Sequence, residues 1–177
     1  MEDRHGLLIV YTGNGKGKTT AAMGMALRAV GQGFKVLMIQ FIKGSWHYGE
    51  LDSVKAFGDA FEIRVMGRGF VNTVPGKVDP EDIRLAGEAW KAAVEAMQSE
   101  KYDMLILDEI NCAVDYGMLP AGEVVGVLAA RPAKLHVICT GRNAHEKLLE
   151  AADLVSEIRE IKHPFQKGIL AQRGVEY

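Results

Sequence analysis

The sequence predicts a single α/β domain over residues 1–177, built on a mostly parallel β-sheet with helices on both faces. Short apolar segments alternate along the chain with segments of helical periodicity, which is the order that a parallel sheet with crossover helices requires. The 177 residues suit one domain. Hydrophobic residues make up 48% of the chain, which is enough to fill a core between the sheet and its helices.

Continuous apolar runs predict the strands of this sheet. Most of these runs lack the polar alternation of a half-exposed strand, so they indicate strands that are covered on both faces. The strongest predicted strands span 7–11, 35–41, 61–66, 104–109 and 135–140. A sixth segment, 154–162, is weaker and alternates between apolar and polar residues as an edge strand does.

The clearest predicted helix covers residues 80–98. Pro80 is suited to the first helical turn, and Asp79 before it can cap the free N–H groups of that turn. Apolar residues then recur at helical spacing and should face the core, namely Ile83, Ala86, Trp90, Val94 and Met97. Three further helices are predicted at 18–30, 120–130 and 144–152.

Three predicted loops connect these elements, and they span 43–50, 67–79 and 110–119. The loop 67–79 is long for a compact α/β domain, and long loops in such domains often serve as lids or binding loops. Aromatic residues cluster in the first loop, where they either line a site for an apolar ligand or anchor the loop itself. These aromatic residues are Trp46, His47 and Tyr48.

Composition and charge exclude several classes of protein. A net charge of −2 argues against a broad nucleic-acid-binding surface. The chain has no run of 18 apolar residues and no apolar signal-peptide core, so we expect neither a membrane span nor secretion. Cys112 and Cys139 form no CxxC pair, so we expect buried free thiols in a cytoplasmic protein rather than a disulfide framework or a zinc site.

The segment TGNGKGKT, residues 12–19, follows the first predicted strand and precedes a predicted helix. It matches the phosphate-binding pattern GxxxxGK[ST], except that Thr12 stands at the first glycine position. Glycines let such a loop turn its N–H groups toward phosphate oxygens, and the start of the following helix adds its dipole. We expect Lys18 to neutralise phosphate oxygens and Thr19 to bind Mg²⁺ through its hydroxyl.

A second motif, MLILDEI, places Asp108 and Glu109 at the end of an apolar predicted strand. The carboxyl ends of parallel strands lie at the sheet edge that carries the phosphate-binding loop, so these carboxylates can hold Mg²⁺ directly or through water. The two motifs together predict a site for Mg²⁺ and a nucleotide. Arg142, at the end of another predicted strand, is either a further nucleotide contact or a surface arginine.

These motifs do not name the reaction. A guanine-specific NKxD motif is absent, and the one DxxG segment lies upstream of the phosphate-binding loop. The residues alone therefore leave open an ATP-using transferase, an ATPase or small-molecule kinase that cleaves the γ-phosphate, and a non-catalytic binding module.

Several further segments resemble the P-loop ATP:corrinoid adenosyltransferases of the CobA/CobO/BtuR type. The resemblance is carried by TGNGKGKTTAAMG, QFIKG, MGRGF, LDEINCAVDYGMLP, TGRNAHEKLLEAADLVSEIREIKHPF and KGILAQRGVEY. It implies a RecA-like P-loop NTPase domain, usually a homodimer. It also implies transfer of the 5′-deoxyadenosyl group of ATP to the cobalt(I) of a corrinoid, with release of triphosphate, and a reduced flavoprotein as the electron donor.

The resemblance also implies roles for individual residues. Lys18 and Phe70 would act in catalysis, and Phe70 would lie in a loop that faces the corrinoid. Thr19 and either Asp108 or Glu109 would hold Mg²⁺. The nucleotide-binding residues would be Gly13, Asn14, Gly15, Lys16, Gly17, Lys18, Thr19 and Thr20, with Arg142 as a candidate.

Two features depart from the family pattern. Many members have an aromatic residue two positions after the corrinoid-facing phenylalanine, where this chain has Asn72. We therefore expect one apolar group fewer against the lower face of the corrin. Many members also have an N-terminal helix over the active site, before the first strand, where this chain has the six residues MEDRHG.

Overall fold

The computed structural model describes residues 4–44, 46–69, 71–72 and 77–177. Six strands form one sheet, and every observed pairing between them is parallel. The strands are β1 (Leu8–Thr12), β2 (Val36–Gln40), β3 (Phe61–Val65), β4 (Met104–Asp108), β5 (His136–Thr140) and β6 (Leu154–Glu157). Their order in the sheet is β3-β2-β4-β5-β1-β6. This confirms the predicted α/β fold.

The helices lie between the strands along the chain. They are α1 (Lys18–Gly31), α2 (Gly49–Ser53), α3 (Pro80–Gln98), α4 (Ile110–Asp115), α5 (Ala121–Ala129) and α6 (Glu146–Ala151). Two 3₁₀ segments, Val54–Ala60 and Pro164–Lys167, complete the regular structure of the described residues. The four predicted helices are therefore present: α3 has the predicted bounds, and the ends of the other three lie within two residues of theirs.

Alternate residues of each central strand enter two separate cores. On one face of the sheet, α1 packs through small residues such as Ala22 and Ala26. On the other face, α3 packs against β2 and β4, and α4 and α6 pack against β5 and β1. Within β1, for example, Leu8 and Val10 belong to one core and Ile9 to the other. Such burial on both faces explains why these strands are almost wholly apolar.

The α3 helix begins as its sequence predicts. Asp79 accepts a hydrogen bond from the N–H of Glu81 at 2.9 Å, and Pro80 occupies the first turn. Trp90 is buried, as predicted, and its indole N–H donates to Glu123 on α5 at 3.1 Å. Ile83 differs from its prediction, because 43% of the side chain is exposed. It lies in the first turn of α3.

Three predictions about local structure were wrong. The predicted loop 110–119 begins with the six-residue helix α4. Helix α2 and the 3₁₀ segment Val54–Ala60 connect β2 to β3, where we predicted no helix. The edge strand β6 ends at Glu157, well before the predicted end at residue 162. Short helices of this kind contain too few turns to show a clear periodicity.

The parallel arrangement brings the ends of four strands together at one edge of the sheet. Thr12 ends β1, Gln40 ends β2, Asp108 ends β4 and Thr140 ends β5. Strand β5 lies between β1 and β4, so one strand separates the phosphate-binding loop after β1 from Asp108 and Glu109 at the end of β4. Within the described residues, no helix is both long enough and apolar enough to cross a membrane.

Candidate active site

The phosphate-binding loop joins β1 to α1 and depends on its glycines in two different ways. Gly13 and Gly17 adopt positive φ angles of 94° and 119°, which other residues adopt at a cost in free energy. Gly13 and Gly15 also lie against the chain that follows β6. A Cβ at Gly15 would be 2.7 Å from the carbonyl carbon of Arg159, and a Cβ at Gly13 would be 2.5 Å from the Ile158 carbonyl oxygen.

The segment after β6 is bonded directly to this loop. The N–H of Gly15 donates to the carbonyl oxygen of Ile158 at 2.7 Å. Two glycines of the loop therefore serve to admit a neighbouring backbone, in addition to shaping a turn. The sequence analysis explained these glycines by the need to turn N–H groups toward phosphate oxygens, and that explanation does not involve the segment after β6.

Lys18 is folded back over the loop that it follows. Its ammonium group donates to the carbonyl oxygens of Gly13 at 2.7 Å and Gly15 at 2.8 Å, and only 7% of the residue is exposed. Burial lowers the pKa of this lysine, an effect that Glu109 opposes. The ammonium group is thus held at the centre of the loop, where phosphate oxygens would lie.

Asp108 is fully buried, and its carboxylate accepts hydrogen bonds from three strand or helix ends. Oδ1 accepts from the hydroxyls of Thr19 at 2.8 Å and Thr140 at 2.7 Å. Oδ2 accepts from the Gln40 side-chain amide at 3.3 Å, and the Lys43 ammonium lies 3.8 Å away. These contacts connect β4 to β5, β2 and the start of α1, and they fix the position of the Thr19 hydroxyl.

Glu109 has a different environment from its neighbour. It adopts a left-handed backbone conformation, with φ 66° and ψ 18°, directly before α4. Its N–H donates to Thr140 Oγ1 at 2.9 Å, and its carboxylate accepts the Cys112 thiol hydrogen at 2.8 Å. Burial, together with the Glu109 charge, raises the pKa of Cys112 to about 12. The side chain of Glu109 faces the cavity described below, whereas Asp108 is enclosed.

The first predicted loop, 43–50, contributes a lysine to the site. Lys43 forms an ion pair with Glu50 at 2.8 Å, and its ammonium group lies 4.7 Å from the centre of the Tyr48 ring. Burial by itself would lower the pKa of Lys43, but Asp108 and Glu50 raise it above its ordinary value. Lys43 therefore stays charged beside the buried carboxylate.

A cavity of about 670 Å³ opens at the phosphate-binding loop. Its walls come from the loop and start of α1, from the region of Lys43 and Glu50, from the ends of β4 and β5, and from the last residues of the chain. The lining contains four cationic side chains and four carboxylates, namely Lys16, Lys18, Lys43 and Arg142 with Glu50, Glu109, Glu160 and Glu176. Lys16 and Lys18 belong to the phosphate-binding loop itself, so they are the cations that a polyanion at this loop would contact.

The structure brings most of the predicted site residues to this cavity. They are Asn14, Gly15, Lys16, Gly17, Lys18, Thr19, Thr20, Glu109 and Arg142. Gly13 lies behind the loop as an acceptor for Lys18, and Asp108 lies beneath it. Phe70, predicted to face the corrinoid, lies outside the described residues. Among the described residues, no cluster of three or more His, Cys, Asp or Glu side chains could hold a metal ion.

Several residues that line the cavity or bind Asp108 were missed in the sequence. Lys43 lies in the QFIKG segment, which also contains Gln40. Gln40 is a polar residue at the end of a predicted apolar strand, which could have indicated that this strand end contributes to the site. Thr140 immediately precedes Gly141 and Arg142 and could have been inferred from the same reasoning as Asp108. Glu160, His163 and residues 174–177 belong to segments that carry the family resemblance, but no motif assigned them to the cavity that they line.

Comparison with known proteins identifies close relatives over the whole chain. A family model described as ATP:corrinoid adenosyltransferase BtuR/CobO/CobP matches residues 4–177. The corrinoid adenosyltransferase of Escherichia coli strain K12 is 45% identical over 176 residues, which cover 99% of this chain and 88% of that protein. Corrinoid adenosyltransferase CobA of Salmonella typhimurium strain LT2 is 42% identical over 176 residues, with the same coverage.

Solved structures share the fold at much lower sequence identity. The RadB recombinase superposes with a TM-score of 0.55 at 16% identity, covering 90% of this chain and 77% of that one. A KaiC-like protein from Pyrococcus horikoshii OT3 gives a TM-score of 0.50 at 14% identity, covering 89% and 75%. These similarities support a RecA-like P-loop fold. The family model that matches residues 4–177 shows the family as well as the fold. The chain belongs to the ATP:corrinoid adenosyltransferase family BtuR/CobO/CobP.

Proposed function

We propose that this protein transfers the 5′-deoxyadenosyl group of ATP to the cobalt(I) atom of a corrinoid and releases inorganic triphosphate. The observation that carries the proposal is the cavity at the phosphate-binding loop, lined by Lys16 and Lys18, in a member of this family. ATP and the corrinoid are both substrates. The cobalt(I) electron pair attacks the 5′ carbon, the bond from that carbon to the α-phosphate oxygen breaks, and the cobalt becomes formally cobalt(III).

The protein's task in this reaction is to orient two large substrates and to stabilise an anionic leaving group. Lys16 and Lys18 in the loop, with Arg142 across the cavity, supply positive charge to the triphosphate. Free triphosphate carries more negative charge than the ATP ester, so these contacts strengthen as the bond breaks and favour the transition state. Cys112 is a neutral thiol, because its pKa is raised to about 12, and it does not compete with cobalt as a nucleophile.

The residues present fit Mg²⁺, and we propose that it accompanies the nucleotide. Mg²⁺ prefers oxygen ligands, keeps several waters and takes few ligands from the protein, so a site with few protein ligands suits it. Among the oxygen-bearing side chains of the cavity wall, we assign the Thr19 hydroxyl and the Glu109 carboxylate to Mg²⁺, because they come from the two motifs that predict the site. The buried Gln40 Oε1 has no hydrogen-bond partner in the described structure, which leaves an acceptor for a water molecule.

Bound Mg²⁺ would neutralise charge on the phosphate oxygens. Asp108 is enclosed by its hydrogen bonds, so we assign it the role of holding the Thr19 hydroxyl in place. Glu109 is then the acid that faces the ligand.

We place the corrinoid beside the predicted loops 43–50 and 67–79, with Phe70 against its lower face. The first of these loops contributes Lys43 and Glu50 to the wall of the cavity, which supports this placement. Following the family resemblance, we also propose a homodimer and a reduced flavoprotein that supplies the electron for cobalt(I). We also propose a cytoplasmic location, which the free thiols of Cys112 and Cys139 support.

Phosphorus NMR of a complete reaction with ATP and chemically reduced corrinoid tests the proposed function. We expect intact triphosphate to appear in proportion to the adenosylated corrinoid. ADP and phosphate formed in step with corrinoid consumption, without triphosphate, would reject the transferase mechanism in favour of an ATPase or kinase. Absence of any turnover by protein that binds both ligands would indicate a binding module.

A further inference from the structure

Residues 172–177 fold into a compact turn at the mouth of the nucleotide cavity. The N–H of Glu176 donates to the carbonyl oxygen of Gln172 at 2.8 Å, and the N–H of Gly174 donates to a backbone oxygen of Tyr177 at 2.7 Å. The Glu176 carboxylate closes the turn by accepting the N–H of Gln172 at 2.6 Å. Residues 174–177 all line the cavity that contains Lys16 and Lys18.

This turn places a carboxylate next to a lysine of the phosphate-binding loop. Glu176 Oε1 lies 3.8 Å from the ammonium group of Lys16, and the two side chains are 20% and 42% exposed. Lys16 is in the loop that would hold the triphosphate, so the anion and Glu176 require the same cation. An anion bound at Lys16 would also lie within a few ångströms of the Glu176 charge, where like charges repel each other.

We propose that Glu176 competes with the triphosphate for Lys16 and thereby sets how tightly this product is held. The inference rests on the proposed function, because it concerns the leaving group of that reaction. A loop that stabilises the departing triphosphate also tends to retain it, and an acidic side chain beside Lys16 weakens that retention. Glu176 in this account acts on the binding of the product, by pairing with Lys16 and by repelling the anion with its own charge, and it does not touch the reacting atoms.

The substitution Glu176→Gln separates the charge from the fold of the turn. Glutamine has nearly the same shape and keeps a side-chain oxygen that can accept the N–H of Gln172. Glu176→Asp keeps the charge and shortens the side chain. Glu150→Gln, on an exposed position of α6 away from the cavity, is the matched control for the loss of one negative charge.

Titration calorimetry of inorganic triphosphate with Mg²⁺ into the full chain tests the proposal. At 50 mM salt we expect Glu176→Gln to bind triphosphate about three- to tenfold more tightly than the unaltered protein, as removal of one charge at this range predicts. Since salt screens the repulsion, the difference should fall below about twofold at 0.5 M. Glu176→Asp and Glu150→Gln should stay within about twofold of the unaltered protein.

Equal or weaker binding of triphosphate by Glu176→Gln would overturn the inference, provided that the unaltered protein binds it. A gain of the same size in Glu150→Gln would also overturn it, because the effect would then reflect net charge alone. If the unaltered protein binds neither Mg²⁺–ATP nor triphosphate, the proposed nucleotide site itself is wrong, and the two failures are thus distinguishable.

Discussion

Replacement of Lys18 by alanine removes the one ammonium group that lies inside the phosphate-binding loop among the described residues. In the structure this group donates to two loop carbonyls, at 2.7 and 2.8 Å. With the nucleotide bound, we expect it to donate to the developing triphosphate. Loss of such a preorganised donor costs about 3 kcal/mol of transition-state stabilisation. This corresponds to a decrease in kcat/KM of about 150-fold.

The same substitution should change the free energy of unfolding much less. The two hydrogen bonds from a charged donor contribute stability, at about 1.5–3 kcal/mol each before other effects. Burial of the ammonium group opposes this, because the lowered pKa of Lys18 means that the protonated form is less favourable in the folded state. Lys18→Ala removes both the bonds and the buried charge, so we expect a net loss of about 1 kcal/mol, the usual net contribution of one intramolecular hydrogen bond.

Corrinoid adenosylation, followed by absorbance at saturating reduced corrinoid, measures the effect on activity, and urea unfolding measures the effect on stability. Lys134→Ala is the control, because Lys134 is exposed and precedes β5 at the opposite end of the sheet from the cavity. A folded Lys18→Ala protein with kcat/KM within about threefold of the unaltered value would refute the assignment of this loop to the triphosphate.

Three further predictions concern other parts of the site. Thr140→Val should lower the free energy of unfolding, measured in urea, by about 2–4 kcal/mol, because Asp108 loses a donor and the Glu109 N–H loses its acceptor. Thr140→Ser keeps the hydroxyl and should lower it by only about 1 kcal/mol. Equal losses in the two variants would contradict this reasoning. Cys112 should resist alkylation by iodoacetamide at pH 8 in the folded protein, because a pKa of about 12 keeps the thiol protonated; labelling at the rate of the unfolded chain would argue otherwise. Phe70→Ala should impair turnover of the cobalt(II) corrinoid more than it weakens ATP binding. The reverse pattern would show that we assigned the loop of Phe70 to the wrong substrate.

Local sequence was sufficient for the features that depend on short-range chemistry. The alternation of apolar runs and helical periodicity predicted the parallel sheet, because strands buried on both faces tolerate few polar residues. The cap and first turn of α3 depend only on Asp79 and Pro80, and the structure contains both as predicted. The glycine pattern and Lys18 predicted a phosphate-binding loop, and the structure contains the strand, turn and helix that this prediction requires. Helix α4 escaped prediction because six residues contain too little periodicity.

The tertiary structure decided how distant segments share one site. The order of strands places β5 between β1 and β4, so Thr140 becomes the hydroxyl that joins Asp108 to the N–H of Glu109. The tertiary structure also gives the two adjacent acids different environments, since Asp108 is enclosed and Glu109 faces the cavity. Adjacent letters in a sequence do not reveal which side chain is enclosed, because that depends on which other strand ends lie beside them.

The contact between Lys16 and Glu176 joins residues that are far apart along the chain. The sequence identified Lys16 as part of a phosphate-binding loop, a property of its immediate neighbours. It contained no periodicity or motif that relates residue 176 to that loop. Their proximity follows from the path of the chain after β6, where the Ile158 carbonyl binds the Gly15 N–H and later residues return to the cavity. Such a path is set by the packing of the whole domain, which is why only the folded structure reveals it.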